Sequence, residues 1–168
     1  MNIFFLHLDP KQCAQMHVDK HVVKMITEHN QILCSVHHIC KQNNQDYKYI
    51  PPYKLCHKNH PCNKWARESL SNYKYLIILN KELCAEYTHR YGKIHKGQYV
   101  TEELEKNLPE IEDIGFTPPA QAMPDTHKEK DTIDAYRSYY IFEKNKLFSW
   151  KNRGEPEWLL DFYRIFEK

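Results

Sequence analysis

Apolar residues along this chain recur mostly three and four positions apart, the period of helices that bury one face. Residues 2–8, "NIFFLHL", are the exception, a short apolar run that predicts a strand or extended segment. "LDPKQCAQM" then opens a helix, with Asp9 placed as N-cap and Pro10 as the first helical residue. The helical pattern runs on to about Gln42, with a break near Asp19, which is positioned to cap a second helix. Val18, Val22, Met25, Ile32, Leu33, Val36 and Cys40 form its apolar stripe. Residues 43–62 are polar and rich in Tyr and Pro, and predict a long loop of the kind that more often carries function. A third helix is expected from about Asn63 to Tyr91, with Trp65, Tyr73, Leu76, Ile77, Leu83 and Tyr87 inward and Gly92 just past its end. Residues 101–113 predict one short helix, "GFTPPAQAMP" an extended connection, residues 132–150 a fourth substantial helix, and Pro156 the start of a last one. The expectation is a mostly α fold, one compact domain over residues 1–168, with five to six helices and a short N-terminal strand or extended segment.

Composition narrows this picture. A chain of 168 residues with 41% hydrophobic and 27% charged side chains is long enough to bury a core and ordinary for a globular protein. Only four glycines argue against a turn-rich β sandwich. No apolar run is long enough to span a bilayer, and "NIFFLHL" is too short and lacks the basic flank of a signal peptide. These features predict a soluble, cytoplasmic protein without a membrane partner. In that setting the six cysteines are expected to be free thiols. The net charge of +2 conceals a division. Residues 1–100 hold 14 Lys and Arg against 7 Asp and Glu, while residues 101–168 hold 10 against 15. A basic portion joined to an acidic one suits either a polyanion site on one side of the fold or pairing between the two portions.

Within the basic portion, His17, His21, Lys24 and Glu28 recur at helical spacing and fall in a narrow sector of the wheel. That sector lies roughly 100° from the middle of the apolar stripe, on the rim of the buried face, where a cleft wall would stand. A lysine beside a carboxylate and imidazoles can act as an amine nucleophile while the carboxylate and His move protons. The plain alternative is an edge stripe held by Lys24–Glu28 pairing. "CHKNHPC" gathers Cys56, His57, His60 and Cys62, all zinc-ligand types, but from one loop and outside the ordinary spacing. The same loop offers His57, Asn59 and His60 for phosphate or base contact. Lys64 and Arg67 follow on the next helix, where a cationic fork suits phosphate oxygens. "THRYGKIHKG" packs Arg90, Lys93, His95 and Lys96 around an aromatic, as nucleic-acid binding favours. Arg137 is a further polyanion contact candidate. Nothing in the sequence asks for a cofactor.

Five stretches, Ala14–Met25, Asn59–Ser69, Glu86–Lys96, Thr117–Pro124 and Tyr136–Lys144, resemble those of a set of small, mostly phage and virus proteins. These in turn resemble the pyrimidine-dimer DNA glycosylase/AP lyases of the endonuclease V type, which are small, basic and all-α. The resemblance implies an N-terminal amine that attacks the sugar, an assisting glutamate on the first long helix, and arginines that kink DNA so that a base flips out. Glu28 corresponds to that glutamate, and Asn2 is bulky enough that Met1 is expected to be retained, so the amine would belong to Met1 or be replaced by Lys24. The expected function is therefore nucleic-acid processing, most concretely a DNA glycosylase/AP lyase acting on damaged or modified pyrimidines. Two alternatives stand beside it: a metal-independent HEPN-type ribonuclease using the R-x4-H pair Arg90 and His95, and a non-catalytic nucleic-acid or nucleotide binding module.

Overall fold

A computed structural model of the protein describes residues 1–166. Among these residues there are seven α-helices and no strand: α1 (Pro10–Met16), α2 (Asp19–Asn43), α3 (Pro61–Glu68), α4 (Leu70–Tyr91), α5 (Gln98–Lys106), α6 (Thr132–Glu143) and α7 (Glu157–Phe166). The long helices α2 and α4 pack against each other at the centre, with α1, α3 and α5 against them. None of the helices is long and apolar enough to cross a membrane. All six cysteines are free, and all but Cys56 are buried.

The segment before α1 is extended, and Ile3, Phe4, Phe5 and Leu6 are all at most 4% exposed. A backbone buried without a partner strand must satisfy its polar groups by other means. Here side chains do it. The Cys13 thiol donates to Phe4 O at 3.2 Å and accepts from Leu6 N at 3.4 Å. Arg137 Nε donates to Leu6 O, and Asn2 Oδ1 accepts from Ile3 N. Asn2 is itself fixed by donating to Ala122 O and accepting from the Tyr136 hydroxyl at 2.7 Å.

The predicted break near Asp19 is present, but Asp19 is the first residue of α2 and not its cap, since Val18 holds that position without a side-chain bond. Its carboxylate instead accepts from Arg90, the Ser149 hydroxyl and Lys151 N. Arg90, with a fully buried side chain, also donates to Glu86, to Gln15 O and to His17 O, which closes the turn between α1 and α2. Arg153 pairs with Glu86 from the other side. The expected third helix is two, because Ser69 is extended; its hydroxyl donates to Asp113 while Leu70 N donates to Glu112 O. Gly92 ends α4 in the left-handed conformation that a side chain disfavours, at φ 66°.

Removing one member of a buried ion-pair cluster leaves charge without a partner, which costs about 3–5 kcal/mol. Arg90→Ala is therefore expected to lower the unfolding free energy by about that amount in urea denaturation. Arg153→Ala, at the exposed edge of the same cluster, should cost clearly less.

Candidate active site

α2 has a ridge formed by exposed Lys20, Val23 and Lys24 and half-buried Thr27 and Gln31. Glu28 lies on one edge of that ridge, its side chain only 12% exposed, and bridges two amines. Lys24 Nζ is 3.1 Å from Oε1, and the Met1 amine is 3.5 Å from Oε2. The Lys24 side chain reaches solvent at 68% exposure, whereas that of Met1 is 4% exposed and packs inward. Asn63 Nδ2 approaches the Met1 sulfur at 3.8 Å while donating to Cys56 O and His57 O. Asn63 Oδ1 is buried and has no partner. The first turn of α3 thus covers Met1, and His60, the N-cap of that helix, accepts from Cys62 N through Nδ1. The extended segment 2–6 holds the amine end, and α2 and α3 supply the groups around it.

Only part of the sequence-predicted set meets here. Lys24 and Glu28 come together, and His60 stands near enough to the Met1 amine and Glu28 to feel their charges. His17 and His21 are buried in the core and do not join them. His17 bonds Cys13 O through Nδ1, and burial pushes its pKa down to about 4. His21 stacks on Phe4 at 4.2 Å and bonds the Tyr140 hydroxyl, with burial lowering its pKa to about 3. Arg90, proposed as a phosphate contact, is spent on Glu86, Asp19 and backbone carbonyls in the interior. Arg137 is held by Leu6 O and the face of Trp158. Lys93, His95 and Lys96 lie on the loop that joins α4 to α5. That loop meets α2 on the opposite edge of its ridge, where Asn30 donates to Gly97 O. His95 Nδ1 is occupied by Gly97 N.

His57 and Asn59 are exposed on the loop beside His60. Arg67 is tied to Lys58 O, and together with Lys64 it lines a cavity of about 550 Å³ at the far end of α2. The four zinc-type residues do not converge. Cys56 Sγ faces Ser35 and Gln31 O, the Cys62 sulfur turns inward toward the Ile3 backbone, and His57 faces out. Among the described residues, no group of three or more His, Cys, Asp and Glu is placed to hold a metal. Two contributors escaped the sequence reading. Asn2 reads as the polar start of an apolar run, and Asn63 as an ordinary first-turn residue; neither has a periodic signal.

A carboxylate between two amines can take a proton from one while the other offsets its charge, the pairing that makes an amine nucleophilic. Comparison of the chain with protein-family models, characterised proteins and solved structures gives no match.

The buried histidines give the fold a pH signature. Burial lowers His17, His21, His29 and His37 to about 4, 3, 3 and 4. Below their ordinary pKa of about 6.5 the unfolded chain takes up protons that the folded chain refuses. Stability is therefore full above that value and lost as pH falls from about 6.5 toward 3. Denaturation midpoints measured at descending pH should drop steadily through this window, and His17→Gln should make the drop shallower.

Proposed function

We propose that the protein is a nucleic-acid-processing enzyme, a DNA glycosylase/AP lyase that acts on damaged or modified pyrimidines through an amine nucleophile. The observation that carries this reading is Glu28, nearly buried and shared by Lys24 and the Met1 amine. In the reaction one amine attacks C1′ and Glu28 accepts the proton it sheds. The C1′–base bond breaks, the C1′–O4′ bond then opens with O4′ taking a proton, and the resulting Schiff base permits strand cleavage by β-elimination. Of the two amines, that of Met1 is the better nucleophile by position, because the buried Met1 side chain and Asn2 fix it. A reacting group held in place avoids the entropy cost of being brought there. Lys24 keeps its freedom and serves to balance the charge of Glu28 and to meet DNA phosphate, with Lys20 one turn before it as a further exposed cation. The ribonuclease reading is the weaker one, since its arginine, Arg90, has a side chain with no exposure.

Borohydride in the presence of duplex DNA containing an abasic site is expected to trap a covalent adduct, which peptide mapping assigns to Met1 or Lys24. Glu28→Gln should slow the reaction by about 100-fold or more, the usual range for a group that moves a proton in the transition state. Lys24→Ala should leave an adduct on Met1. A protein that traps nothing and releases no base, yet binds DNA with steep salt dependence, would be a binding module instead.

A further inference from the structure

We infer that His60 is a neutral hydrogen-bond donor to the pyrimidine carbonyl oxygen at this site, and so assists departure of the base in place of binding phosphate. The inference rests on the glycosylase reading above. His60 caps α3, and its Nδ1 accepts the backbone N–H of Cys62 at 3.2 Å. A ring nitrogen that accepts has its lone pair there, so the proton of the neutral ring sits on Nε2. Within the described residues nothing bonds that Nε2. The ring is partly exposed and stands at the start of the turn whose Asn63 touches Met1. It is also near enough to the amine–Glu28 pair for both charges to act on it, and its Nε2–H is left for a bound molecule.

Protonation of this ring would set a second N–H against the Cys62 amide and against the positive end of α3. Burial first, then the charge of the Met1 amine and His57, hold His60 below its usual pKa, with Glu28 pulling the other way. A cation for phosphate is thus the wrong description of this side chain. A neutral imidazole N–H suits an oxygen on which negative charge develops. In the glycosidic step the amine nitrogen bonds to C1′ and its proton passes to Glu28. The electron pair of the C1′–N1 bond moves into the pyrimidine, where charge collects on the carbonyl oxygens. His60 donates to one of them without giving up its proton, and the departing base is protonated by water.

His60→Asn separates this role from the cap. Asn is among the best N-capping residues, so the variant keeps the bond to the Cys62 amide but loses the distal donor. The glycosidic step is followed on ultraviolet-irradiated duplex and on duplex carrying a 5-substituted uracil. The lyase step is followed by borohydride trapping on a duplex with a pre-formed abasic site, from which no base has to leave. The expected result is an unchanged denaturation midpoint, glycosidic cleavage slower by about 100-fold, the usual loss for one such donor, and trapping within a few-fold of wild type. Wild-type cleavage should also show no gain from about pH 8 down to 6, where a phosphate-binding imidazolium would give one. His60→Asn cleaving at the wild-type rate would overturn the assignment, as would equal losses in both steps or a wild-type rate that rises as the ring protonates. A wild-type protein that traps nothing overturns the glycosylase reading and this role with it, whereas normal trapping with an inert H60N change removes only the role.

Discussion

The backbone of residues 2–6 crosses the interior with no strand beside it, and much else in the structure answers to that. Cys13 on α1, Arg137 on α6 and the chain's own Asn2 supply hydrogen bonds that a neighbouring strand would have given, and Tyr136 on α6 holds the Asn2 side chain in place. Each such bond contributes little by itself, but a buried amide or carbonyl left unpaired costs about 1–3 kcal/mol. The segment is consequently fixed along its length by elements far apart in sequence. Its first residue emerges at one defined place, against Glu28.

A second hub does the corresponding work at the start of α2. Arg90 ties together Glu86 on its own helix, Asp19 at the start of α2, and two carbonyls of the α1–α2 turn. Burial alone would raise the carboxyl pKa values of Asp19 and Glu86. Hydrogen bonds from Ser149, Lys151 and Arg90 to the first, and from Arg153 and Arg90 to the second, outweigh it and hold both below their usual range. Such a cluster is weak evidence of extra stability, since ionic groups in the interior forgo their hydration. Its clearer effect is on geometry: it sets where α2 begins, and so which of its residues face the amino-terminal segment.

Local signals in the sequence were enough for the helices. The Asp9–Pro10 start and the Gly92 stop stand where capping chemistry requires them. The split at Ser69 was not legible, because its cause is a partner 44 residues away, Asp113. The candidate site was half legible for the same reason. Lys24 and Glu28 share a face by periodicity alone, but a wheel cannot tell rim from core. His21 occupies the same sector of α2 and is buried against Phe4 and Tyr140, while His17 lies in the break between α1 and α2, outside the wheel altogether. Arg90 misled in the opposite direction: in a basic cluster it reads as a surface cation, and only its two acidic partners reveal it as interior.

Gly97 has a consequence for the dimensions of the molecule. A Cβ at this position would stand 2.8 Å from Ile26 Cγ2 and 3.1 Å from Asn30 Nδ2, so the loop bearing Lys93 and Lys96 is seated against α2 with no space for a methyl group. The loop cannot slide along the helix without breaking the Asn30 bond to Gly97 O. The two edges of α2, one with Glu28 and the other with these lysines, are therefore a fixed helix width of about 10 Å apart. α2 acts as a ruler: a polyanion that spans its ridge meets a spacing set by steric exclusion at one glycine.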